Sequence, residues 1–209
     1  MPPKPKTEAE RQQLRTLIID AARDMFVTVG YEAVTMREVA KRIGYSATSI
    51  YHHFADKEAL LRAVCDTDML ALASSLNTVL QITDPVERMN ALGMAYAQFA
   101  LAYPNHYRMM FMTPRDPCSP ETSGLQQNNA EQDAYFQLKT VVNDVFKDGK
   151  FKPELNDSEL IAQTVWAAMH GVCSLQIIMA QDTWVNWRDV SARLQLMQAV
   201  MLRGLLREN

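Results

Sequence analysis

The chain reads as all-α, and three observations predict that class. Apolar residues recur at three- and four-residue spacings in nearly every segment. No segment shows the two-residue alternation of a half-buried strand. Gly, Pro and Ser/Thr/Asp/Asn fall where helices of ordinary length would start and stop. About nine helices follow, divided into an N-terminal head of three helices (1–55) and a C-terminal helical body (56–209). At 209 residues, 48% hydrophobic and 22% charged, the chain is long enough and apolar enough to bury a core.

The first helix is predicted over 8–29, where Leu14, Leu17, Ile18, Ala21, Ala22, Met25 and Phe26 form one apolar stripe and Gly30 stops it. Before it, Pro2, Pro3, Lys4, Pro5 and Lys6 form a short basic arm, either a frayed terminus or an arm that touches DNA. Thr35 and Glu38 make a capping box, so a second helix begins at Met36 and buries Met36, Val39, Ala40 and Ile43. Gly44 closes it in a left-handed turn, and Ser46 caps a third helix that buries Ala47, Ile50 and Phe54. Thr48, Ser49, Tyr51, His52 and His53 are left outward. Hydroxyls, a phenol and imidazoles suit hydrogen bonding to phosphates and base edges. Two short helices joined by a glycine-bearing turn form a helix-turn-helix, although an ordinary helical hairpin with a polar outer face fits the same periodicity.

The run TMREVAKRIGYSATSIYHHFADKEALL (35–61) resembles the N-terminal signature of the tetracycline-repressor (TetR) family of transcriptional regulators. The likeness covers roughly residues 10–62 and rests on about a dozen positions that agree in type and spacing. Two positions depart from the pattern: Thr48, where Gly or Ala is usual, and Tyr45, where Val is usual. The resemblance implies that Thr35, Arg37, Tyr51, His52 and Lys57 fix the DNA backbone, with Met36 and Ser46 also in the DNA-binding set. It places Ala47, Thr48, Ser49 and His53 nearest base edges. Residues 166–171, WAAMHG, resemble the Trp…His-Gly signature of one subgroup of that family, with YRMMF at 107–111 beside it. In that subgroup the body binds a small molecule and dimerises through its last two long helices.

The rest of the chain is predicted as follows. A fourth helix runs from Asp56 to about Ile82, with Lys57 opposing the helix dipole. Asp84-Pro85 opens a fifth, and Asn105 caps a short sixth. Three prolines make 113–124 a loop, and helix resumes from Leu125 to about Lys147. Long helices follow from Asp157 or Ser158 to about Gln181 and from Val190 to Leu206.

The net charge of −3 divides into +2 over residues 1–62 and −5 over the remainder, a slightly basic head on an acidic body. Cys65, Cys118 and Cys173 are few, odd in number and widely spaced, as expected of a reducing cytoplasm. The N-terminus has no apolar signal core, and no run is read as a membrane span.

Thirteen methionines suit an adaptable apolar pocket or simply a Met-rich core. The candidate effector-binding residues are Tyr96, Phe99, Tyr103, Met109 and Met110, with Phe111, Trp166, Met169, His170 and Cys173. His170 fits a bonded core histidine equally well. His170 with Cys173 supplies two possible metal ligands and nothing nearby completes a site, so neither metal nor cofactor is expected. Candidate dimer residues are Val165, Ala168, Val172 and Leu175 on one helix, and Leu194, Met197, Val200 and Met201 on the next. The alternative is that both stripes are consumed inside one chain.

The expected function is a ligand-responsive, DNA-binding regulator, a repressor acting as a homodimer on a palindromic operator and released by a small apolar or aromatic effector. The other readings are a helical ligand- or protein-binding module without DNA contact and an all-α enzyme. No HExxH, GxSxG or phosphate-binding glycine loop favours the enzyme.

Overall fold

The structure is a computed structural model and describes residues 7–114 and 121–208. The Pro/Lys arm and Cys118 lie outside these residues. Among the described residues the chain forms nine α-helices: α1 (Glu8–Val29), α2 (Met36–Arg42), α3 (Ala47–Tyr51), α4 (Lys57–Leu76), α5 (Pro85–Ala102), α6 (Pro104–Phe111), α7 (Ala134–Lys147), α8 (Ser158–Met179) and α9 (Val190–Leu205). A 3-10 turn spans Val79–Gln81.

The chain divides into two units. The first takes the described parts of Met1–Asp68 and Asn105–Leu125; the second takes Met69–Pro104 and Gln126 onward. The sequence boundary at 55/56 therefore falls inside the first unit.

In the first unit the N-caps fall on the expected residues. Thr35 accepts from the Glu38 amide at 3.2 Å, and the Glu38 carboxylate accepts from the Thr35 amide at 2.8 Å. Those bonds from Thr35 hold the Glu38 carboxyl below the usual carboxylate range. Thr7 and Glu10 make the same reciprocal pair at α1. At five and seven residues, α3 and α2 are too short to persist alone. Packing holds them: Val39, Ala40, Ile50 and Phe54 join Ile18, Ala22, Phe26, Leu60 and Val64 in one buried cluster. Gly44 sits at φ +73°, and the Tyr45 amide donates to the Ala40 carbonyl at 2.9 Å, so the turn needs a residue that tolerates left-handed backbone.

The second unit is built from α5, α7, α8 and α9, each packed on at least one of the others. The Gln198 side chain of α9 is buried and donates to the Asn90 carbonyl of α5 at 2.7 Å. It passes so close to Gly93 that a β-carbon there would lie 2.8 Å from its amide nitrogen. The end of α9 is pinned by a β-bridge between Phe151 and Leu206 and by the Arg207 amide, which donates to the Lys150 carbonyl at 3.0 Å.

Three expectations are corrected. Helix α4 ends at Leu76, not near Ile82. The Ser75 hydroxyl bonds the Leu72 carbonyl at 2.7 Å, and Ser/Asn/Thr at 74–78 favour such local bonds over continued helix. Helix α7 starts at Ala134, not Leu125. Asn128 has φ +62°, its amide donates to Asp133, and Asp133 caps α7 by accepting from Phe136. Helix α8 meets the length and hydropathy of a membrane span, against the expectation that no run does. A core helix passes the same test, and Ile161, Ala162, Val165, Met169 and Cys173 of α8 are buried.

Candidate functional site

Helix α3 is set by a cap at one end and a buried anchor at the other. Ser46 accepts from the Ser49 amide at 3.2 Å, and the two hydroxyls lie 2.9 Å apart. Ile50 is fully buried, so the helix cannot roll. Its far end is held by Arg15 of α1, which lies 4.5 Å over the Phe54 ring and donates to the His53 carbonyl at 3.4 Å. With the helix fixed, Thr48, Tyr51 and His52 stand in solvent, Tyr51 with about half its surface exposed. Ala47, Ser49 and His53 are half-buried. Thr35 and Arg37 are exposed at the start of α2. Met36 is 6% exposed within the core, so only its backbone is available there.

Lys57 is placed differently from the expectation. Its ammonium lies 4.2 Å from the centre of the Tyr31 ring and donates to the carbonyls of Tyr31 at 3.0 Å and Glu32 at 3.4 Å.

The first unit also holds a buried charge cluster that sequence reasoning missed. Arg23 of α1 donates through Nε to both carboxylate oxygens of Asp68 at 2.7 and 3.0 Å, and through Nη1 to Asp20 at 2.6 Å. Asp68 is fully buried and Arg23 is 4% exposed. Burial pushes the Asp68 carboxyl up to about 7, and Arg23 draws it back only in part. His106 of α6 approaches Asp68 at 3.9 Å, and burial lowers the pKa of that imidazole. A signal existed: Arg23 falls four residues after Ile19 and three before Phe26, on the buried side of α1.

The candidate effector residues separate. Met109, Met110 and Phe111 belong to the first unit, and Met109 is fully buried in the head's own core. Tyr96, Phe99, Tyr103, Trp166, Met169, His170 and Cys173 belong to the second. There the Trp166 indole N–H donates to the Tyr96 hydroxyl at 3.2 Å, and Tyr96 lies 3.0 Å from His170 Nδ1. Either atom of the Tyr96–His170 pair can be the donor, according to the imidazole tautomer. Burial lowers the His170 pKa, which favours the neutral ring. Tyr135 extends the array: its ring lies 5.9 Å from that of Trp166, and its hydroxyl donates to Glu159 at 2.5 Å. Tyr103 is half exposed, while Phe99, Met169 and Cys173 are buried. Met89, Gly93, Val165, Met169, Gln198 and Met201 are among the residues lining a cleft of about 20 Å³, room for about one water.

Burial pushes the Cys173 thiol up to about 11, so it stays protonated and is a poor metal ligand. Among the described residues no group of three or more His, Cys, Asp or Glu is placed to hold a metal ion.

The dimer stripes are corrected by burial. Val165, Val172 and Leu194 are consumed inside the second unit, and Ala168, Met197 and Met201 are partly covered. Leu175 and Val200 remain exposed, joined by Leu160 and Ile178 on α8 and Leu196 on α9.

Comparison with known proteins accords with this geometry. A family model described as bacterial regulatory proteins, tetR family, matches residues 18–64, and one described as tetracyclin repressor-like, C-terminal domain, matches residues 89–198. The transcriptional repressor KstR2 of Mycolicibacterium smegmatis is 25% identical over 171 residues, 79% of this chain and 82% of that protein. The regulator UidR of Escherichia coli is 39% identical over 57 residues, 27% of this chain and 29% of its own. Two solved structures share the fold. A TetR family regulator of Marinobacter aquaeolei superposes with a TM-score of 0.75 at 17% identity, over 97% of this chain and all of its own. The fatty acid degradation regulator FadR of Bacillus halodurans does so at 0.72 and 19%, over 95% of this chain and 97% of its own. With one model on the helix-turn-helix and the other spanning more than half of the chain, the protein belongs to the TetR family of DNA-binding transcriptional regulators, a family of regulators and not of enzymes.

Proposed function

We propose that the chain is a ligand-responsive repressor that binds a palindromic operator as a homodimer and is released by a small, largely apolar effector. The observation that carries the reading is the outward face of α3: Thr48, Tyr51 and His52 exposed on a helix whose buried side is locked. Such a face has no internal use, and its hydroxyl, phenol and imidazole groups match phosphate oxygens and base edges. Thr35 and Arg37 would hold the backbone beside it. Repression is favoured because KstR2, matched over most of both chains, is named a repressor.

Twofold DNA recognition needs two heads about 34 Å apart along the duplex, or a multiple of that. Leu160, Leu175, Ile178, Leu196 and Val200 supply an exposed apolar surface on α8 and α9 that a second copy would cover. For the effector, Tyr96, Trp166 and His170 give a hydrogen-bonding group in the same unit as buried Phe99 and Met169. That pairing suits a mainly apolar molecule carrying one polar group. DNA as the target places the protein in the cytoplasm, and no cofactor is required.

The test is binding to duplex DNA from upstream of the chain's own gene. The wild type is expected to bind with an affinity that falls steeply with salt. Tyr51→Ala is expected to weaken it while the protein stays folded. Salt-independent or absent DNA affinity in the wild type would remove the regulator reading in favour of a binding module without DNA.

A further inference from the structure

Tyr31, Tyr45, Tyr51 and Tyr107 are the tyrosines of the first unit. Tyr31 is half-buried and Tyr107 is buried, whereas the exposed pair, Tyr45 and Tyr51, flanks α3. Tyr51 is the last residue of that helix and belongs to its outward face. Tyr45 stands just before the Ser46 cap and is 41% exposed. Its backbone is fixed from both sides. Behind it, the Gly44 amide donates to the Lys41 carbonyl at 3.2 Å and the Tyr45 amide to the Ala40 carbonyl at 2.9 Å, the paired bonds that close a helix through a left-handed glycine. Ahead of it, Ser46 accepts from the Ser49 amide at 3.2 Å. A residue that follows such a closure and precedes a cap commonly packs against the helices it joins, and an apolar body is enough for that. A tyrosine adds a hydroxyl that the packing does not need.

In a helix-turn-helix the second helix enters the major groove by its first residues, and that groove is only about 12 Å wide. The turn that leads into α3 therefore runs beside the groove wall, where the phosphates lie. We propose that Tyr45 is a further DNA-contacting residue, whose phenol donates a hydrogen bond to a backbone phosphate from the turn between α2 and α3. The proposal rests on the reading of α3 as the surface that meets DNA. A side chain on a backbone pinned from both sides has little freedom left to lose when it binds. The phenol bears no charge, so its contact adds affinity without adding to the salt slope, as a lysine or arginine would. A bond to phosphate also carries no sequence information, so it serves every duplex alike.

The experiment measures affinity of the full-length protein for two duplexes of equal length, one from upstream of its own gene and one unrelated, across a salt series. Thermal unfolding confirms that each variant is folded. Tyr45→Phe keeps the ring and removes the hydroxyl; Tyr45→Val removes both. Tyr45→Phe is expected to weaken binding about tenfold on both duplexes, as loss of one hydrogen bond to a charged group would, with the salt slope unchanged. Tyr45→Val is expected to be at least as weak. Full affinity in Tyr45→Phe overturns the proposal, and a loss confined to Tyr45→Val then leaves Tyr45 as packing alone. A loss in Tyr45→Phe on the upstream duplex but not on the unrelated one marks a base contact and overturns the assignment to phosphate. If Tyr45→Val does not fold, Tyr45→Phe decides alone. A wild type without salt-dependent DNA affinity removes the reading of α3 and the role of Tyr45 together, an outcome distinct from failure at Tyr45 by itself.

Discussion

Helix α3 and helix α8 both expose side chains, but of opposite kinds. The exposed face of α3 carries Thr48, Tyr51 and His52, whereas α8 exposes Leu160, Leu175 and Ile178. Their supports differ as well. Helix α3 has five residues and owes its position to the Ser46 cap, to Ile50 and to Arg15 over Phe54. With 22 residues, α8 has a buried stripe of its own and needs no such rigging. A short helix with a polar outer face is worth fixing so firmly only if it reads something by hydrogen bonds. A long helix with an apolar outer face gains by covering that face with its like. The contrast supports the proposed division, with DNA at one region and a second copy of the chain at the other.

The largest effect is expected from breaking the head's rigidity. Asp68→Ala leaves Arg23 buried without its main partner, at a cost of about 3–5 kcal/mol in denaturant unfolding. A pH series sharpens the point. Because the folded carboxyl titrates at about 7, above its unfolded value near 3.8, the folded chain holds the proton that the unfolded chain releases between them. The stability of wild type relative to Asp68→Asn is therefore expected to fall as pH rises from about 4 to 7.

Next in size is the α8/α9 surface. Ile178→Asp combined with Val200→Asp changes two exposed residues, so the chain is expected to fold normally. Sedimentation is expected to show dimerisation weakened by about 2 kcal/mol or more. Unchanged association would mean that this face meets something other than a second copy.

Smallest is the cap of α2. Thr35→Ala is expected to cost about 1 kcal/mol in unfolding and to weaken DNA binding by misplacing the neighbouring Arg37. The same variant removes the hydroxyl bond to Glu38, the larger cause of its lowered pKa, and leaves the backbone bond. The wild type is then expected to lose more of that support than the variant as pH falls through the lowered value.

Most of the head was legible because its signals are local. Thr35 and Glu38, Gly44 and Ser46 each act within a few residues, and the structure puts them where their chemistry demands. What could not be read depends on distance along the chain. Arg23 and Asp68 are 45 residues apart, and neither announces the other. Lys57 opposes the helix dipole in the sequence itself, but its partner Tyr31 lies 26 residues upstream. In the body, periodicity located the helices but not which side of each stripe is inward. Val165, Val172 and Leu194 share a spacing with residues that stay exposed, and only packing separates them. The effector set fared alike. Tyr96, Trp166 and His170 were brought together, while Met109 went to the core of the head.

The most direct test of the central claim is amide hydrogen exchange of the whole protein with and without duplex DNA from upstream of its gene. The expected result is slowed exchange at 35–37 and 46–53 on adding DNA, with the exposed faces of α8 and α9 unchanged. Bound DNA that leaves exchange at 46–53 unaltered, or that protects α8 and α9 instead, would contradict the assignment of α3 as the reading surface.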